Sequence, residues 1–197
     1  MIFATGNRHK LRELRELLPG VELEPIPDFV TLPPEEGDSF AEIALEKARV
    51  THGATGKAVV ADDSGISAVG LDGRPGIHSA RYGGEGASDE ENLDKLLREV
   101  AAAGDDRRAF YTCALALVEE DGSEHVFEAR WDGHLIEEPR GEGGFGYDPA
   151  FVPEGQEDGR TASELSDAEK NEISHRGRAA RMLGSHLAER GAAPSGR

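Results

Sequence analysis

Cysteine is almost missing from this chain. One residue, Cys113, stands among 197, so no internal disulfide can form. Its place in the apolar run Phe110–Val118 suits a buried structural thiol, and no local signature marks it as a nucleophile. Basic charge is also scarce: 22 Lys and Arg face 39 Asp and Glu, for a formal net charge of −17. That balance argues against duplex DNA, RNA or anionic membrane as a general partner, because those surfaces require a basic footprint. A small anionic substrate stays open, since a local nest of cations, backbone N–H groups and metal can overrule the global field. No apolar run reaches the roughly 18 residues of a membrane span. Met1-Ile2-Phe3-Ala4 leads straight into a motif, so no signal peptide is expected and the cytoplasm is the expected location.

The length fits one domain, assigned here to residues 1–190, with a small polar tail over 191–197 that is expected to fray. Apolar Ile2–Thr5, then Gly6-Asn7, then leucines 11, 14, 17 and 18 at helical spacing predict strand, turn and helix, with Asn7 as the cap. Residues 25–38 are rich in Pro, Asp and Glu and read as a loop. Ser39 with Glu42, Ser88 with Glu91 and Ser166 with Glu169 are three capping-box signatures, each opening a helix. The first of these helices is expected to reach Thr51 or His52, and Gly177 is expected to interrupt the last helical region. Ala58–Ala61 predicts a short buried strand ending at Asp62-Asp63-Ser64-Gly65. Ala109–Val118 and His125–Trp131 predict two strands around Asp121-Gly122, with Leu135-Ile136 as a third. The order β-α-α-β-α-β-β-α implies an α/β fold, a mixed sheet flanked by helices.

Five segments carry chemistry. In Thr5-Gly6-Asn7-Arg8-His9-Lys10 a glycine turn leads into a helix start, whose free N–H groups suit an anion. Three basic residues there oppose the helix dipole, which makes sense around a phosphate and is also tolerable on a solvated surface. The P-loop pattern is absent. Asp62 and Asp63 follow a strand, where neighbouring side chains point to opposite sides and so take different jobs. A carboxylate there can hold Mg²⁺ or form a turn or cap. The acidic stretch Glu35-Glu36-Gly37-Asp38 is either a solvated loop or the source of a second metal carboxylate. Aromatic residues make up only 6% of the chain, so Phe145 and Tyr147 among glycines stand out. They suit stacking on a planar base, or lids on the core. Lys170, His175 and Arg176 offer donors to a carbonyl, or simply form a basic helix face.

Taken together, Ala4-Thr5-Gly6-Asn7 with Lys10, Ala44-Leu45-Glu46-Lys47-Ala48, Ala61–Gly65, Pro75–Tyr82, Gly144–Pro149 and Ile173–Gly177 resemble the inosine triphosphate pyrophosphatases, also called dITP/XTP pyrophosphatases. The set stands in the family's order across nearly the whole chain. The resemblance implies a long mixed central sheet with two lobes around an active-site cleft, a homodimer, and a need for Mg²⁺. It implies that Thr5, Gly6, Asn7, Arg8, His9 and Lys10 bind the triphosphate. Asp63 becomes proton acceptor and metal ligand, and Ser64 touches substrate. Phe145, Gly146, Tyr147, Asp148, Lys170, His175 and Arg176 bind the nucleotide, largely at its base. A glutamate before the second helix completes the metal site; Glu35 is chosen by its distance from Glu42, with Glu36 close beside it. Asn7, Lys10, Lys47 and Asp63 form the catalytic set.

The reaction so implied is water attack at the α-phosphorus with release of pyrophosphate. Hypoxanthine and xanthine present a 6-keto acceptor where adenine presents a 6-amino donor, so a donor from His175 or Arg176 would discriminate between them. Two other classes call for different residues. A Maf-type pyrophosphatase would be expected to open on a Ser-x-Ser-Pro-Arg-type segment in place of Thr5-Gly6-Asn7. A nucleotide-binding regulatory module would be expected to lose the carboxylates Asp62, Asp63 and Glu35.

Overall fold

The structure, a computed structural model, describes residues 1–192. The elements run β1 (Ile2–Ala4), α1 (Arg8–Leu17), β2 (Glu24–Pro25), α2 (Phe40–Thr55), β3 (Val59–Ala68), α3 (Asp89–Ala103), β4 (Arg108–Val118), β5 (Glu124–Leu135), β6 (Phe151–Pro153), α4 (Asp167–Ile173) and α5 (His175–Ala192). The six strands form one sheet in the order β2-β1-β3-β4-β5-β6. It is mixed, as expected: β1 pairs in parallel with β2 and β3, and β6 pairs antiparallel to β5. Among the described residues no helix is long and apolar enough to cross a membrane.

The chain divides into two compact units. The first comprises Met1–Asp63, Ala114–Ala129 and the chain from Arg176 on; the second comprises Ser64–Cys113 and Arg130–His175. The core of the first gathers small and β-branched residues, among them Ala44 and Ala48 of α2, Val59 and Ala61 of β3, and Ala114 and Ala116 of β4. Alanines on α2 let the helix lie close to the strands. The second core is larger-grained, with Leu93 and Leu96 of α3 beside Tyr111, Trp131, Phe151 and Tyr147.

Local chemistry explains most boundaries. Asn7 caps α1 by accepting from the backbone N–H groups of His9 and Lys10. Ser88 and Ser166 form full capping boxes with Glu91 and Glu169. Ser39 completes only half of one: it accepts from Glu42 N, while the Glu42 carboxylate turns to Asp38 N. The helix it opens runs to Thr55 and ends on Gly56, in the left-handed region at φ 66°.

The end of α2 lies past the expected Thr51 or His52, because the chain stays helical until Gly56 caps it. Further boundaries also differ from expectation. β3 does not stop at Asp62 but continues to Ala68, because residues on both faces of it are buried. Glycine is needed at position 65, where a Cβ would lie 2.4 Å from Ser79 Oγ and 2.6 Å from Gly76 O. β5 runs through the polar Asp132-Gly133 to Leu135 because β6 pairs with residues 133–135, so Leu135 starts no third strand. The final helical region breaks at Ser174, ahead of Gly177. The expected tail begins inside α5, which reaches Ala192; residues 193–197 lie outside those described.

Candidate active site

In the first unit, β1 and β3 set the register. Ala4 pairs with Ala61, so the chain leaves β1 at Thr5 beside the point where β3 reaches Asp62. Thr5 Oγ1 accepts from Asn7 N at 3.1 Å, and Asn7 Oδ1 accepts from His9 N at 2.9 Å, which shapes the turn into α1. Gly6, Arg8 and His9 are exposed there, and Lys10 is half-buried. Exposed cations and backbone at a helix start leave this turn accessible to an anion.

Asp62 and Asp63 do different things, as strand alternation requires. Asp62 is buried and anchors cations: Lys10 pairs with its Oδ1, and Arg176 Nε reaches its Oδ2 at 3.3 Å. Arg176, buried at the start of α5, also donates to Glu13 on α1 at 2.6 Å. From sequence, Asp62 is expected only to take a job different from that of Asp63, and Glu13 has no expected role. Glu13 was recognisable in principle, since it stands three residues after Lys10 and therefore on the same helix face.

Asp63 meets a different partner. Lys47 of α2 donates to Asp63 Oδ1 at 2.8 Å and to Glu35 Oε1 at 2.5 Å. Glu36, in contrast, is exposed. Burial pushes the Asp63 carboxyl up to about 6, and Lys47 and Lys10 offset this only in part. Burial alone would pull Lys47 down, but the charges and hydrogen bonds of Asp63 and Glu35 outweigh it and raise its pKa. A carboxylate with a pKa near 6 is ionised at neutral pH and is a stronger base than an ordinary aspartate. The two carboxylates direct hard oxygen donors at one cation, the Lys47 ammonium. That donor set fits Mg²⁺, which is commonly bound by one or two carboxylates, with water and phosphate completing the shell.

In the second unit, Asp148 is the hub. Its Oδ1 accepts from Tyr111 OH at 3.1 Å, and its Oδ2 accepts from Lys170 Nζ at 2.8 Å and Phe145 N at 3.0 Å. Asp148 and Lys170 are both buried. The turn needs glycine at 144, where φ is 69° and a Cβ would lie 2.2 Å from Asp148 Oδ2. Gly146 and Phe145 are half-buried, and Lys170 Nζ lies 5.1 Å from the centre of the Phe145 ring. Tyr147 takes the other course open to an aromatic here. It is a buried lid on the core, its hydroxyl donating to Ser79 O at 2.7 Å. His175 is buried, with its ring stacked on Tyr111 at 4.6 Å and 7°. Ser64 is half-buried on β3. Tyr111, which touches both Asp148 and His175, was missed in the sequence because it sits in an ordinary apolar strand.

A mixed six-stranded sheet flanked by helices, carrying buried carboxylate–lysine groups, is the α/β architecture that the resemblance to the inosine triphosphate pyrophosphatases implies. The model of the Ham1 family matches residues 1–186, and the chain belongs to that family. It is 44% identical to the dITP/XTP pyrophosphatase of Geobacter sulfurreducens, covering 97% of this chain and 98% of that protein. It is 47% identical to the dITP/XTP pyrophosphatase of Mycobacterium tuberculosis, over 93% of this chain and 92% of the relative. Among solved structures, a HAM1 protein from Coxiella burnetii matches with a TM-score of 0.86 at 41% identity, over 95% of this chain and 98% of that one.

Proposed function

We propose that this chain is a nucleoside triphosphate pyrophosphatase that removes deaminated purine nucleotides (ITP, dITP and XTP) by hydrolysis to the monophosphate and pyrophosphate. Full-length relatives named dITP/XTP pyrophosphatase support the substrate class. The convergence of Asp63 and Glu35 on Lys47 carries the chemistry.

A water oxygen forms a bond to the α-phosphorus while the bond from that phosphorus to the bridging oxygen breaks, and pyrophosphate leaves. Asp63 takes the proton from the water. Lys47 and Lys10 set positive charge near the departing phosphates, the electrostatic work that dominates such transfers. Asn7 fixes the turn by taking the His9 and Lys10 N–H groups on its own side chain. Phosphate oxygens accept from the side chains of Thr5, Asn7, Arg8, His9 and Lys10 and approach the exposed backbone of Gly6. Mg²⁺, held by Asp63 and Glu35, would supply charge neutralisation and a more acidic water.

For the base, Phe145 supplies a face, and Lys170 and His175 supply donors. Asp148 holds Lys170 in place, and the bonds of Arg176 to Asp62 and Glu13 fix its guanidinium. A donor facing the 6-position donates to a 6-keto oxygen and leaves adenine's amino group opposed donor to donor. The homodimer and the cytoplasmic location belong to this reading through the likeness to the family.

The deciding experiment assays pyrophosphate release from a panel of nucleoside triphosphates with and without Mg²⁺. ITP, dITP and XTP should be split in its presence, and ATP should be split far more slowly. No release from any of the three would overturn the proposal.

A further inference from the structure

A second group of metal-ligating side chains lies in the first unit, built from residues that none of the chemistry above uses. Glu119 directly follows β4 and opens the turn, His125 is the second residue of β5, and His186 lies within α5. One ligand atom from each falls within 4.8 Å of the others. The two imidazole Nε2 atoms approach the same oxygen, Glu119 Oε1, at 3.3 Å from His125 and 3.1 Å from His186. The ring centres lie 4.2 Å apart.

Two observations separate this group from an ordinary ion pair. Nε2 of His125 is sealed from solvent and forms no hydrogen bond among the described residues, its approach to Glu119 notwithstanding. A buried ring nitrogen left in that state is costly unless something else engages it. The spacing also has a meaning. Ligands about 2.0–2.1 Å from a tetrahedral Zn²⁺ lie roughly 3.3 Å from one another, close to the 3.3 Å from Glu119 Oε1 to His125 and the 3.1 Å hydrogen-bond distance to His186. The other Glu119 oxygen is occupied by Arg190 at 2.9 Å, a bond that orients the carboxylate as outer partners of metal ligands do. The Phe127 ring, 5.4 Å from that of His186, forms an apolar wall.

We infer that Glu119, His125 and His186 form a binding site for a divalent first-row transition cation, with Zn²⁺ the best match to two imidazoles and one carboxylate. The site takes ligands from the β4–β5 turn and from α5, so the bound ion fastens that helix to that hairpin. It is distinct from the Asp63–Glu35 pair, whose all-oxygen donors suit Mg²⁺.

The test uses the full chain, stripped with a chelator and titrated with Zn²⁺ by calorimetry. One Zn²⁺ per chain should bind, and the melting temperature should rise with Zn²⁺ concentration. The His125→Gln/His186→Gln variant should lose that stoichiometry and the melting shift, while keeping its circular dichroism and its Mg²⁺-supported ITP hydrolysis. Asp63→Asn should still bind the Zn²⁺. Co²⁺ in place of Zn²⁺ should give the intense visible bands of a tetrahedral site, absent from the double variant. Failure of the wild-type chain to bind Zn²⁺, or undiminished binding by the folded double variant, would overturn the inference. Either result leaves the pyrophosphatase assignment standing, because the latter is read from ITP hydrolysis alone.

Discussion

Lys47 Nζ lies 2.8 Å from Asp63 Oδ1, and both side chains are 7% exposed. A lysine ammonium held this close to a carboxylate that burial has pushed up to about 6 keeps that carboxylate usable as an anion at neutral pH. Asp63→Asn removes the base while preserving shape. The variant should lose about 10²–10⁴-fold in kcat, with an unchanged circular dichroism spectrum. Pyrophosphate release measured at saturating ITP checks this, and a variant with most of its activity would remove Asp63 from the reaction.

Glu35 and Glu36 are neighbours with different surroundings. Glu35 reaches Lys47 at 2.5 Å, while Glu36 is exposed. Glu35→Gln should therefore raise the Mg²⁺ concentration for half-maximal activity by about tenfold or more, as losses around metal ligands do. Glu36→Gln should leave it unchanged. A Mg²⁺ titration of ITP hydrolysis for the two variants separates the residues. Equal responses would mean that the metal is held without Glu35.

Arg176 is a buried cation between Asp62 and Glu13. Its removal leaves Asp62 with Lys10 but takes a buried cation from both carboxylates, a loss bounded by the roughly 3–5 kcal/mol of a fully broken buried pair. At roughly 2–4 °C per kcal/mol for a chain of this size, Arg176→Ala should melt well below the parent, whereas Arg176→Lys should recover part of the loss. Measured below its melting point, Arg176→Ala should also show a smaller preference for ITP over ATP. A normal melting temperature would contradict the structural role, and an unchanged ratio would place base selection on His175 and Lys170.

How much was legible in the sequence depended on whether the signal was local. Asn7, Ser88 and Ser166 cap helices through bonds spanning two or three residues, and a pattern of that range is visible in a string of letters. The sequence predicts a shorter β3 because Asp62 and Asp63 look like a strand end. They lie inside the strand because Lys10 and Arg176 meet one aspartate and Lys47 meets the other. Those partners are distant in sequence, so no window contains them. Phe145 and Tyr147 show the same limit. Both are aromatics among glycines, yet only the bond of Tyr147 to Ser79 O, 68 residues away, decides that it belongs to the core.

That bond gives the remaining prediction. Burial, followed by the nearby Tyr82 and Asp89, raises the Tyr147 phenol above its ordinary value. Its neutral form is thus favoured in the folded chain. The stability this contributes is whole below the unfolded-state pKa of about 10. It is lost as pH climbs from there toward the higher folded value, because the unfolded phenol ionises first. Tyr147→Phe removes both the titration and the hydrogen bond. At pH 8 the variant should be less stable by about 0.5–1.5 kcal/mol, the net worth of such a bond. Between pH 9.5 and about 11 its melting temperature should fall less steeply than that of the parent. Calorimetric melting of both chains across that range checks the sign. Parallel slopes would mean that Tyr147 ionises as readily folded as unfolded, and that its hydroxyl is not sealed against Ser79.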